Sequence, residues 1–181
     1  MAAGTRSPSN DPFAVLGVEP SFELDLGALE RRHRQLSRAL HPDRYAGRSA
    51  SERRQALGRA IEVNEAFRTL KDPIRRAEAL LRTLGMELEE GREPQPSPEF
   101  LMQIMEYREE LSSARQHKDL EALASLAKAI RDREAEASRA LAQAFSSREG
   151  AEASALHERL GALRYYRRFL DEAAAIEDEL S

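Results

Sequence analysis

Residues 28–45 read ALERRHRQLSRALHPDRY. On a helical wheel at about 100° per residue, Leu26, Leu29, His33, Leu36 and Leu40 fall on one stripe, three and four apart. Arg31, Arg34 and Arg38 fall almost opposite. Asp25 is a capping residue, and Pro42 pushes residue 41 out of the α region. The spacing therefore predicts a helix from the Asp25 cap to Leu40, with leucines inward and three guanidinium groups outward. An imidazole, a proline and a carboxylate follow at once, in a loop that runs to Gly47. Proline fixes that loop, so His41 and Asp43 are presented at little entropic cost. The same rigidity is expected to restrain the two from turning toward each other.

Upstream, Asn10 or Asp11 can cap a short helix with Pro12 in its first turn, ending at Gly17. Downstream, Ser51 is expected to open a helix with Leu57, Ala60, Ile61, Asn64, Phe67 and Leu70 on one face. It ends near Lys71-Asp72-Pro73, and a short helix runs from Ile74 to Leu84 before Gly85. Residues 91–98, GREPQPSP, then read as a linker.

Three more helical stretches lie beyond it. Ser97 or Pro98 begins one that reaches about Gln116. Asp119 caps the next, which carries Leu120, Leu123, Leu126, Ile130, Ala137, Leu141 and Phe145. Gly150 breaks the chain, and the last carries Leu156, Leu160, Leu163, Leu170, Ile176 and Leu180. Short connections favour an antiparallel bundle, and no strand pattern competes. The fold class is all-α. The expected organisation is a disordered tail (1–10), a first helical domain (11–85), a linker (86–98) and a three-helix domain (99–181).

Composition narrows the function. The net charge of −4 leaves no overall basic excess for nucleic acid. With no cysteine, disulfides, a thiolate nucleophile and cysteine-held metal or iron–sulfur clusters are excluded. None of His33, His41, His117 and His157 is three to five residues from another, so no zinc-type pair is visible. No apolar run approaches the roughly 20 residues of a membrane span, and MAAGTRSPSN lacks the apolar core of a secretory signal. A cytoplasmic protein with no membrane partner is expected. Near His41 and Asp43 the sequence offers neither a nucleophile nor a phosphate-cradling glycine loop, so catalysis is not expected.

A second pattern lies after the linker, in SPEFLMQIMEYREEL (97–111). Phe100, Ile104, Tyr107 and Leu111 share one sector, enough for a core face. Leu101, Met102 and Met105 lie on a second sector, bordered by Glu106 and Glu109. A helix in a small bundle does not need this second stripe to fold, so it reads as a docking patch.

FAVLGVEP (13–20), ALERRHRQLSRALHPDRY (28–45) and IEVNEAFRTLKDPIRRAEAL (61–80) together resemble a J domain over about residues 11–84. The resemblance implies a helical hairpin with the tripeptide at its tip, docking a DnaK/HscA-type chaperone and stimulating its ATPase. His41, Pro42 and Asp43 would be the functional residues, with Arg31, Arg34 and Arg38 as supporting contacts. His33 stands where the family usually has an aromatic residue, and is read as a packed substitute.

The FLM…EYREEL run and LRYYRRFLDE (163–172) resemble the C-terminal domain of HscB-type co-chaperones. That family pairs a J domain with a three-helix bundle that binds an IscU-type iron–sulfur scaffold protein. Carried over, the scaffold contacts are Leu101, Met102, Met105, Glu106, Glu109 and Tyr165, with Tyr166 as the alternative to Tyr165. Ser113 falls where a further acidic residue is expected. The chain would have no cofactor of its own, since the cluster belongs to the partner. A J-domain co-chaperone for a different client is the alternative reading.

Overall fold

The computed structural model describes residues 11–87, 94–147 and 152–181. The expected tail (1–10), residues 88–93 of the expected linker and Gly150 lie outside the described residues. The chain divides into two compact units, Met1–Met86 and Glu87–Ser181. Regular structure among the described residues is helical throughout.

The first unit holds α1 (Pro12–Leu16), α2 (Leu26–Ala39), a 3-10 turn (Pro42–Tyr45), α3 (Ala50–Lys71) and α4 (Pro73–Thr83). Asp11 caps α1 through its side chain, and Gly17 ends it at φ 63°, a left-handed conformation that favours glycine. Asp25 caps α2 and Asp72 caps α4. Helix α3 lies at the centre, touching α1, α2, α4 and the turn. Phe13, Leu16, Leu29 and Leu81 of the other helices are buried, as is Leu70 of α3 itself.

Two expectations for α3 need correcting. Ser49, not Ser51, is the cap: its hydroxyl accepts the Glu52 N–H, and the Glu52 carboxylate accepts the Ser49 N–H at 2.8 Å. This reciprocal box follows the S-x-x-E spacing, which Ser49-Ala50-Ser51-Glu52 satisfies and Ser51 does not. Hydrogen bonding from the Ser49 hydroxyl, then from its backbone, holds the Glu52 carboxyl below the usual glutamate range. That contribution is present above the unfolded carboxyl range and lost as pH falls through the lowered folded value. Ser49→Ala is expected to cost about 1 kcal/mol, or about 4–8 °C in Tm for a domain of this size by calorimetry. Ser51→Ala is the control and should move Tm little.

The buried face of α3 also differs from the expected one, sharing only Leu70 with it. It consists of Ala56, Val63, Ala66 and Leu70, while Leu57 and Ile61 are 59% and 56% exposed. Ala56 and Ala66 on this face let the enclosing helices approach α3 closely, while Leu70 fills the space near its end. Leu26, expected in the α2 stripe, lies in the first helical turn and is 44% exposed. In α4, Arg76 is buried against the Phe22 ring and donates to the Leu70 carbonyl at 2.7 Å. Burial pulls its pKa down, and Asp72 opposes this.

The second unit holds α5 (Pro98–His117), α6 (Leu120–Ser146) and α7 (Ala153–Leu180). Ser97 caps α5 and Asp119 caps α6. Arg108–Glu172 (3.2 Å) and Arg115–Glu179 (2.7 Å) pair α5 with α7 in the same direction, so α6 runs back between them. Ile130, Phe169 and Leu111 centre the core. Leu141, Leu156 and Leu160 extend it along α6 and α7. Among the described residues no helix is long and apolar enough to cross a membrane.

Candidate functional site

The hairpin of α2 and α3 ends in the His-Pro-Asp loop. His41 is extended (φ −60°, ψ 134°), as a residue before proline should be, and caps the 3-10 turn. Its Nδ1 accepts the Asp43 N–H at 3.4 Å and lies 3.4 Å from the Asp43 carboxylate. The expectation that proline keeps the two apart is thus corrected. Pro42 fixes its own φ, but the turn it starts folds Asp43 back over His41. The Arg44 N–H closes the turn on the His41 carbonyl at 3.0 Å. His41, Pro42 and Asp43 all face solvent, and the Asp43 side chain is 88% exposed.

Along α2, Arg31, Arg34 and Arg38 are exposed. Arg31 lies 3.6 Å from Asp25 and Arg34 lies 3.8 Å from Glu30. Such exposed pairs hold their side chains weakly, so the guanidinium groups remain available to a partner. No ion pair to Arg38 occurs among the described residues. Arg32 plays another part, donating through Nε to the Leu16 carbonyl at 3.0 Å. His33 is packed, stacked on Phe67 with centroids 4.2 Å apart, and its Nε2 lies 2.9 Å from Asn64 Oδ1. An exposed, pre-shaped loop of hydrogen-bonding groups beside a row of cations suits docking to a protein surface.

In the second unit, α5 carries two apolar sectors. Leu111 is buried, Phe100 and Tyr107 are half-buried against the core, and Ile104 is half-buried beside them. On the other side Leu101, Met102 and Met105 are 47%, 65% and 63% exposed. Glu106 and Glu109 are exposed beside them, as is Ser113. Methionine side chains adapt to irregular partners, and carboxylates at the rim add selectivity.

The two adjacent tyrosines differ. Tyr166 is buried, and its hydroxyl donates to Gln103 Oε1 at 3.4 Å. Tyr165 is half-buried, with its ring edge-on to Phe100 at 5.8 Å. Burial pushes the Tyr165 phenol pKa up, against the pull of Arg108. On the α5 wheel Arg108 stands between the core sector and Leu101, so Tyr165 flanks the patch from the α7 side. Sequence reasoning missed the bond from Arg32 to the end of α1 and the exposure of Leu57 and Ile61. The second follows from the wheel once α3 is recognised as the central helix.

Two family models match the chain: a DnaJ domain over residues 11–79 and an HSCB C-terminal oligomerisation domain over residues 96–174. A co-chaperone protein HscB homolog from Neisseria meningitidis is 43% identical over 118 residues, 65% of this chain and 71% of the relative. One from Shewanella halifaxensis is 32% identical over 169 residues, 93% of this chain and 97% of the relative. Among solved structures, the chaperone HscB from Vibrio cholerae superposes with a TM-score of 0.80 at 32% identity. That match covers 94% of this chain and 99% of the other.

Proposed function

The chain belongs to the HscB family of J-domain co-chaperones, and from that premise we propose that it carries an IscU-type iron–sulfur scaffold protein to a DnaK/HscA-type chaperone in the cytoplasm. Residues 11–85 act as the J domain and 99–181 as the scaffold-binding domain, joined by 86–98. His41, Pro42 and Asp43 engage the chaperone, with Arg31, Arg34 and Arg38 beside them. Leu101, Met102 and Met105 anchor the scaffold, with Glu106, Glu109 and Tyr165 around them.

One observation carries this reading: each unit exposes a docking-type surface that its own fold does not use. A chain that holds both partners at once raises the local concentration of one at the other, with no new contact between them. The J domain then promotes ATP hydrolysis in the chaperone, which traps the scaffold and favours cluster release. The chain itself works by binding and positioning.

The test is ATP turnover by a DnaK/HscA-type chaperone with this chain, with and without an IscU-type scaffold. Stimulation should rise when the scaffold is added. A rate that this chain raises but the scaffold leaves unchanged points to a different client. A rate unmoved by either removes the reading.

A further inference from the structure

Leu57 and Ile61 stand one helical turn apart on α3, and both are more than half exposed. Their place on the hairpin follows from three contacts. His33 meets Asn64 and stacks on Phe67, and Glu30 lies 3.7 Å from Lys71. These fix the antiparallel register of α2 and α3. Carried along both helices, the register sets Ile61 level with residues 36–40 and Leu57 level with residues 40–44, the His-Pro-Asp loop. On the α3 wheel Leu57, Ile61, Asn64 and Lys71 share one sector about 80° wide. Asn64 and Lys71 reach α2 from that sector, so Leu57 and Ile61 lie on the flank that borders α2.

The surroundings are cationic. Arg34 and Arg38 lie across on α2, and Arg54 and Arg68 lie along α3. Of the neighbouring carboxylates, Glu30 is engaged by Arg34 and Lys71 and Glu65 by Arg68 at 3.1 Å, while Asp43 in the loop stays open to solvent. An apolar pair ringed by arginines fits a surface with an apolar centre and a carboxylate rim. It fits a second copy of itself poorly, because a two-fold contact would press arginines against arginines.

We infer that Leu57 and Ile61 form an apolar flank of the chaperone-facing surface, continuous with the loop and the arginine row, and seat on a carboxylate-rimmed apolar shelf of the DnaK/HscA-type chaperone. The inference rests on the reading of the J domain proposed above. The division of labour is that the arginines steer the approach, while the aliphatic pair slows departure.

The experiment compares the full chain with its Leu57→Gln/Ile61→Gln double variant against an ATP-loaded DnaK/HscA-type chaperone. Glutamine keeps helix propensity and removes the apolar surface. The expected result is a Kd, and a concentration for half-maximal stimulation, raised about tenfold. Maximal stimulation, Tm and scaffold affinity should be unchanged. The ratio of variant to parent should hold as salt is raised, because screening acts on the arginines and not on the aliphatic pair. Equal potency of the two proteins overturns the inference alone. So does a fall in Tm, which would make the pair core, or a loss of self-association with potency intact. If the parent fails to stimulate the chaperone, the J-domain reading falls and the inference falls with it.

Discussion

Asp43→Ala is expected to reduce stimulation of the chaperone's ATPase to the unstimulated rate while leaving scaffold affinity and thermal stability intact. The turn is held by backbone and imidazole, through the Asp43 N–H to His41 Nδ1 and the Arg44 N–H to the His41 carbonyl. The carboxylate holds none of it together except for a solvent-exposed approach to His41, which is worth little. Removing it therefore changes what the loop presents and not how the loop is built. Stability should stay within about 0.5 kcal/mol of the parent, as for an ordinary surface substitution. Scaffold affinity should not move, since the proposed scaffold contacts are in the other unit. Steady-state ATP turnover, calorimetric Tm and titration with scaffold are the three measurements. Full stimulation by the variant would show that the chaperone reads some other part of the hairpin.

The second large effect is expected of Leu101→Ala with Met105→Ala. Both residues lie on the outward sector of α5, away from the Phe100–Leu111 face. Alanine keeps the helix and removes only the side chains that would fill a partner's pockets. Apolar anchors at the centre of an interface cost more than about 1 kcal/mol each when truncated. The pair together should weaken scaffold binding about 10- to 100-fold, at roughly 1.4 kcal/mol per tenfold. ATPase stimulation by the chain alone, without scaffold, should be unchanged. A large drop in Tm would instead make the patch part of the bundle core, and the docking proposal would go with it.

Much of the architecture is legible in residue types and their spacing. Asp11, Asp25, Asp72 and Asp119 cap the helices they precede, because a carboxylate at that position satisfies a backbone donor the helix leaves open. The second sector of α5 is legible because a bundle helix needs only one apolar face. Helix α3 is harder to read. Choosing its large aliphatic residues as the core favours Leu57 and Ile61, yet the neighbours close on Ala56 and Ala66. In α3 the enclosed positions hold Ala56, Val63 and Ala66 beside Leu70, so side-chain size alone does not pick out the inward face. The paired tyrosines were ambiguous for a different reason. Adjacent residues on a helix are about 100° apart; Phe100 meets both rings edge-on at 5.8 Å, and it is burial, with the Gln103 contact, that sets Tyr166 in the core and Tyr165 at its edge.

The bond from Arg32 to the Leu16 carbonyl bears on how this hairpin tolerates change. Arg31 and Arg32 are neighbours with the same charge and opposite employment: one faces solvent beside Asp25, the other closes the end of α1. Lysine at Arg31 would keep what a distant partner senses, a positive charge at that place. Lysine at Arg32 would keep the same charge and forfeit the planar Nε–H aimed along one direction, unfastening α1 from the helix that carries the loop. Two versions of this segment with identical charge can thus differ in whether the loop stands on a rigid base, a distinction invisible to any count of basic residues.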